Sequence, residues 1–269
     1  MDCGQLEEKA RELRRKIMEV CYRTQSGHPS SALSCVEILT ALYYGDFLKI
    51  DINNFQDEDR NRFHLSKGHA CVLQYIILAD LGILEEQHLW EFCKPGKLLG
   101  AHPDPLTVPG IEAGSGSLGH GLAYAMGVAL GAKYCGREFQ VYTVLGDGEC
   151  QEGSVWESAL CAGNHRLDNL TVIIDNNGMQ ASEYTKNVSD ISPLCEKWKS
   201  FHFEAYEIDG HDMGQVVDTL NAPFHGKPKA IIANTLKGKG VSVIENRKYW
   251  HGRKPKDEEW EQIRAELNI

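Results

Sequence analysis

The sequence has no C-x-x-C pair, no internal repeat, no low-complexity linker and no uninterrupted apolar run long enough to cross a bilayer. Each absence removes a class of protein. The nine cysteines, at 3, 21, 35, 71, 93, 135, 150, 161 and 195, are odd in number and lack paired spacing. That argues against a disulfide framework or a zinc ribbon and for a reducing, cytoplasmic setting. The most apolar stretch, "CVLQYIILADLGIL", is broken by Gln74 and Asp80, and the N-terminus "MDCGQLEEKARELRRK" lacks the basic-then-apolar order of a signal peptide. No membrane association is expected. Positive charge is also scarce: 28 Lys and Arg face 38 Asp and Glu, a net charge of -10. This excludes a general nucleic-acid backbone binder but leaves room for one phosphorylated ligand in a shielded pocket.

What is present is a large apolar core in alternating elements. At 269 residues and 42% hydrophobic content the chain reads as one α/β domain, residues 1–269. Leu6, Ala10, Leu13, Ile17 and Cys21 share one helical face, so the spacing predicts a helix over 5–24 that stops at "SGHP". Ser34 and Glu37 form a candidate capping box for a second helix, "SCVEILTALYY", and a third is expected from about Gly68. Residues 94–117, rich in Gly and Pro, read as a long functional loop. A small-residue helix follows, "SLGHGLAYAMGVALGAKY", with Ser115 or Ser117 as its candidate N-cap. From Phe139 onward strands "FQVYTVLGD", "NLTVIIDNN", "FEAYEID" and "KAIIANTL" alternate with helices, and "KDEEWEQIRAELNI" ends the chain as a helix. The pattern predicts right-handed βαβ crossovers and a parallel sheet flanked by helices on both faces.

Ligands of such sheets bind beyond the carboxyl ends of the strands. Gly146-Asp147-Gly148 ends one predicted strand and Asn176-Asn177 ends the next, one crossover later. Asp147 and Asn177 offer the partial oxygen set that Mg2+ takes when substrate phosphates and water complete its shell. The glycines permit close backbone approach, so the Gly148 N–H can donate to a phosphate oxygen.

These motifs carry a family resemblance. "GDGECQEG" followed by "IIDNNGMQ" resembles the diphosphate and metal motif of thiamine diphosphate enzymes. "SGHPSSALSCVEIL", "HLSKGHACVL", "GAHPDP", "GSGSLGHGLAYAMGVALGAK", "LKGKGVSV" and "YWHG" together resemble the N-terminal third of transketolase, in order and over nearly the whole chain. The resemblance implies a thiamine diphosphate-binding fold with Mg2+, or Ca2+ or Mn2+, held by Asp147, Asn177 and the Met179 carbonyl. It implies that His28, His69, His102 and His251 surround the thiazolium, substrate oxygens and diphosphate, as imidazoles able to move protons near neutral pH. It places Gly116, Ser117 and Leu118 against the aminopyrimidine, and Glu152 at a subunit interface near the cofactor. His120 stands where the family often has glutamine and is left open between a functional role and a packed or surface one; His64, His88, His165, His202, His211 and His225 read as packed or surface residues.

In the family, the glutamate that activates N1' of the aminopyrimidine comes from a second domain that this sequence lacks. The resemblance therefore implies the N-terminal subunit of a split transketolase, paired with a separately encoded C-terminal subunit in an α2β2 assembly. The implied reaction moves a two-carbon ketol unit from a ketose phosphate to an aldose. Alternatives are the α-type subunit of a 2-oxo acid dehydrogenase, ketol transfer on a modified sugar such as a sulfosugar, and a non-catalytic cofactor-binding module. Deoxyxylulose phosphate synthase fits "GAHPDP" and the proline after His28 less well.

Overall fold

A computed structural model describes all 269 residues. Its elements in chain order begin with helices α1 (Cys3–Thr24), α2 (Pro29–Leu33) and α3 (Val36–Tyr44), strand β1 (Arg62–Leu65), then α4 (Cys71–Asp80) and α5 (Gly121–Tyr134). Strand β2 (Val141–Gly146), α6 (Gly153–Asn164) and β3 (Leu170–Asn176) follow, then the two-residue strands β4 (Met179–Gln180) and β5 (Glu183–Tyr184). The chain closes with α7 (Thr185–Val188), α8 (Leu194–Ser200), β6 (Glu204–Asp209), α9 (Met213–Asn221), β7 (Lys229–Asn234) and α10 (Asp257–Leu267).

The main sheet has the order β1-β2-β3-β7-β6 and every neighbouring pair is parallel. Period-2 side-chain alternation sorts its residues between two apolar layers. Tyr142, Val144, Ile173 and Ile231 pack with α1, α3, α4 and α9 on one face. Val141, Leu145, Val172, Ile174 and Ile232 pack with α5, α6 and α8 on the other. Strands covered on both faces are mostly apolar, which is why β2 and β3 read as near-continuous hydrophobic runs interrupted by Thr143 and Thr171. A fully buried aliphatic such as Ile174 would cost about 2–5 kcal/mol if cut to alanine.

Local departures from expectation have tertiary causes. The helix expected at "SCVEILTALYY" starts two residues late, as α3 beginning after Cys35 with no side-chain cap, and the short α2 precedes it. The Ser34/Glu37 box does not form: Ser34 Oγ donates to Asp175 Oδ2 at 2.6 Å, and the Glu37 carboxylate binds Arg14 and His211. Buried charged partners outbid a local cap. Neither Ser115 nor Ser117 caps α5, whose first turn follows His120. A working capping box occurs at α1 instead, where Asp2 Oδ1 accepts from Gln5 N and Gln5 Oε1 accepts from Asp2 N, both at 2.9 Å. Residues 94–117 contain no helix or strand, as expected of the long loop. Strand β1 was not expected; "RFHL" is too short to show a period.

Candidate active site

The parallel register brings three strand ends side by side. Gly146 pairs with Asp175 across β2 and β3, and Asn176 pairs with Asn234 across β3 and β7. The segments leaving these ends, Asp147-Gly148, Asn177-Met179 and Thr235-Lys237, meet at a cavity of about 380 Å³. Its walls include His28, His69, His102, His251, Gly116, Leu118, Asp147, Gly148, Glu152, Asn177 and Met179. Residues spread over 223 positions of sequence thus share one site (28 to 251). Ser117 is the exception: it lines an adjoining cavity with His64, His120 and Tyr124, and its Oγ lies 3.3 Å from His120 Nδ1. A larger cleft of about 610 Å³ adjoins the site across Asp147 and Asn177, but no histidine lines it. The chemistry converges in the smaller cavity.

Three imidazoles form a cluster. Ring centroids of His28 and His69 lie 5.5 Å apart, and each is 5.1 Å from His251. Burial lowers the pKa of His28, assisted by Lys254; burial and Lys67 hold His69 well below its usual value; burial and Lys237 push His251 down to about 3. All three are neutral at pH 7, each able to donate one hydrogen bond and accept another. His28 Nδ1 is buried and has no partner. His102 is exposed at the cavity mouth, where a Cβ on Gly116 (φ +116°) would lie 3.0 Å from its ring. Only glycine lets that loop pass so near the histidine.

Two buried charges in the cavity lack a counter-charge. Asp147 is 2% exposed, and burial pushes its carboxyl up to about 6 even though Thr185 Oγ1 donates to it at 2.8 Å. Lys237 is also 2% exposed, and burial together with Lys67 pushes it down to about 8. One position wants a cation and the other an anion. By contrast Lys67 and Asp175 satisfy each other: burial opposes both charges, yet their attraction raises the lysine and lowers the aspartate, with Ser34 and Thr235 completing the carboxylate's bonds. Asn177 Nδ2 donates to Asp175 Oδ2 at 3.1 Å, so the amide's oxygen is its other end.

This donor set fits a divalent cation and a diphosphate. A carboxylate, an amide oxygen and the Met179 carbonyl are hard oxygen ligands. No group of three or more His, Cys, Asp or Glu side chains is placed to hold a metal alone, so ligand oxygens and water would complete the shell. The Gly148 backbone is shielded on its other side, since a Cβ there would meet Gln180 Cβ at 2.6 Å.

Several wall residues escaped the sequence reading. Glu149 is 3% exposed and accepts from Gly119 N at 2.9 Å, Gly146 N at 3.1 Å and Ser66 Oγ. It ties the Gly146–Gly148 turn to the Gly116–Gly119 loop, which spends three of its acceptor positions on the protein itself. Lys237 had a usable signal, a lysine followed by a glycine just past the last strand. Lys67 and Asp175 had none, being 108 residues apart. Glu152 is exposed and opens α6 without a capping bond. Of the histidines read as packing residues, His64 is buried and pushed down to about 4, and His225 pairs with Glu204.

Comparison with known proteins decides the family. Residues 7–269 match the family model described as "Transketolase, thiamine diphosphate binding domain". The chain belongs to the transketolase family. It is 41% identical to an apulose-4-phosphate transketolase subunit of Actinobacillus succinogenes, over 98% of this chain and 96% of that one. It is 37% identical to a 6-deoxy-6-sulfo-D-fructose transketolase subunit of Clostridium sp., over 97% and 96%. The Campylobacter jejuni transketolase crystal structure superposes with a TM-score of 0.91 at 29% identity, covering all of this chain but 43% of that one. Rat transketolase, 34% identical, is covered over 42% of its length. The chain therefore matches transketolase subunits end to end and the single-chain enzymes over about two fifths. It is the family's thiamine diphosphate-binding, N-terminal part.

Proposed function

We propose that this chain is the N-terminal subunit of a two-component transketolase that moves a two-carbon ketol unit from a ketose phosphate to an aldose. The cavity carries the reading: metal-type oxygen ligands, an uncompensated lysine and three histidines converge on one side, while Gly116, Leu118, Glu152 and His102 remain exposed on the other. Thiamine diphosphate supplies the carbanion chemistry when bound. Asp147, Asn177 and the Met179 carbonyl would hold Mg2+; Gly148, Lys237, His69 and His251 would hold the diphosphate; Gly116 and Leu118 would carry the aminopyrimidine, with Ser117 facing the adjoining cavity. His28, His69, His102 and His251 donate to the substrate carbonyl and hydroxyl oxygens and move their protons.

A carboxylate at N1' would come from outside these residues, because Glu149 is tied to two loops by three protein donors and Glu152 lies in solvent. The partner is a C-terminal transketolase subunit and the assembly is α2β2. Relatives named for apulose-4-phosphate and 6-deoxy-6-sulfo-D-fructose support a sugar or modified-sugar substrate. Nine free thiols support a reducing compartment such as the cytoplasm, and no helix is long and apolar enough to cross a membrane. The test mixes this chain with the product of a neighbouring C-terminal subunit gene, in the presence of thiamine diphosphate and Mg2+, and follows aldose phosphate release from ketose phosphates. Activity is expected only in the mixture; equal turnover by the pure lone chain would refute the split.

A further inference from the structure

Lys237 enters the cavity on a turn whose anchors all lie outside it. Within the cavity its Nζ meets only His251 Nδ1 at 3.0 Å and the Ala181 carbonyl at 3.4 Å. The main chain therefore decides where the ammonium sits. That main chain is held from behind at four points: Leu236 N donates to His211 Nε2 at 2.8 Å, Asn246 N donates to the Lys237 carbonyl at 2.8 Å, Gly238 N donates to the Ser30 carbonyl at 2.9 Å, and Arg14 Nε donates to the Lys239 carbonyl at 3.2 Å. Two of these anchors join at one carboxylate. Glu37 Oε2 lies 3.0 Å from His211 Nδ1, and Glu37 Oε1 lies 2.5 Å from Arg14 Nη2.

The hydrogen bonding fixes the tautomer of His211. Nε2 accepts from an amide and so carries no proton, which leaves Nδ1 protonated and donating to Glu37. The side chains of Arg14, Glu37 and His211 are only 10%, 9% and 11% exposed. Gly210 makes the approach possible, since a Cβ there would lie 2.5 Å from Thr235 Cγ2. A buried charged triad is costly compared with apolar packing, and setting a geometry is one use that retains such groups. None of the three lines the cavity.

We propose that Arg14, Glu37 and His211 form a positioning relay that brackets Lys237 and holds its ammonium on the diphosphate wall, so that diphosphate affinity depends on residues of α1, α3 and the β6–α9 turn. The proposal rests on reading the cavity as a diphosphate site. His211→Asn keeps a donor for Glu37 but loses the acceptor for Leu236 N; His211→Gln keeps an acceptor at the distance of Nε2. Both are placed in a double-mutant cycle with Lys237→Met, using calorimetric titration of the full chain with inorganic diphosphate and Mg2+. His211→Asn should weaken binding about tenfold in the wild-type background and less than about twofold beside Lys237→Met, and His211→Gln should recover most of the loss. Amide exchange at Leu236 should quicken in His211→Asn alone. Arg14→Lys, which removes the Nε donor to Lys239 while keeping the charge beside Glu37, should give a smaller loss that likewise vanishes without Lys237, and it serves if the histidine variants fold poorly. Equal losses in both backgrounds, or none in either, would overturn the relay. If Lys237→Met alone left diphosphate binding unchanged, the lysine's place in the diphosphate reading would fall and the relay with it. That result differs from failure of the relay alone, in which Lys237→Met weakens binding and His211→Asn does not.

Discussion

The two sides of the cavity are built differently. On the strand-end side, Asp147, Lys237, Lys67 and Asp175 are 2%, 2%, 1% and 0% exposed and held by hydrogen bonds from several elements. On the loop side, Gly116, Ser117, Leu118, His102 and Glu152 are exposed, and Leu106 of the same long loop is 92% exposed. Burial perturbs the ionisation of charges on the first side; no such burial exists on the second. On the proposed reading, the buried side would take phosphate and metal and the open side an aromatic ring, with a second protein surface supplying the missing wall.

The sharpest break between the sides is at Asp147. Removal of an outer-shell partner already costs a metal site about 10–100-fold in affinity, so Asp147→Ala, which removes a ligand, should abolish Mg2+-dependent thiamine diphosphate binding in fluorescence-quenching titrations. Asn177→Ala should follow it. The fold should persist by circular dichroism, because a buried carboxylate without a counter-charge contributes little to stability. Wild-type affinity in either variant would contradict the metal assignment.

The histidine bordering the open side should behave in the opposite way. His102→Ala should leave cofactor affinity in the assembled enzyme within a few-fold while lowering turnover by about 10²–10⁴, the range for lost proton transfer. Steady-state assays with the partner subunit measure both quantities. Unchanged turnover would return this residue to a packing role.

A smaller effect separates the two uncompensated charges. In the ligand-free protein Asp147 titrates near 6 and Lys237 near 8. Below pH 6 the carboxylate must lose a proton before it accepts a cation; above pH 8 the amine must gain one before it pairs with diphosphate. Affinity for Mg2+ with diphosphate should therefore be greatest between about pH 6 and 8 and fall by up to about tenfold per pH unit on either side. The sign is opposite for the stability of the ligand-free protein. Burial disfavours the charged form of each group, Asp147 is charged above its raised pKa, and Lys237 is charged below its lowered one. Both penalties are thus fully present in that window, where added ligand should raise Tm most. A pH series of calorimetric titrations checks the limbs separately, since Asp147→Asn should flatten the acid limb and Lys237→Met the alkaline one.

The same division governed what could be read from sequence. Strands β2 and β3 and the long helix α1 were legible because burial writes a period or a near-continuous apolar run into the chain. The cavity's ligand-facing residues were legible because glycine, aspartate, asparagine and histidine at strand ends leave local signatures, and all but Ser117 reach one cavity. What supports them was not. Lys67 finds Asp175 across 108 residues, Glu149 stitches two loops together, and Ser34 and Glu37 abandon a plausible local cap for buried partners on other elements. Such contacts depend on three-dimensional proximity and have no spacing of their own.

The central claim is that this chain finishes the diphosphate end of the site and leaves the ring end to a partner. It is tested most directly by titrating the lone chain, with saturating Mg2+, against thiamine diphosphate and against inorganic diphosphate, then repeating both titrations with the C-terminal subunit present. The account predicts affinities for the two ligands within about tenfold of each other in the lone chain, since exposed ring contacts add little, and at least a hundredfold preference for thiamine diphosphate in the mixture, equivalent to about 2.7 kcal/mol. A lone chain that already prefers thiamine diphosphate by that margin would contradict it.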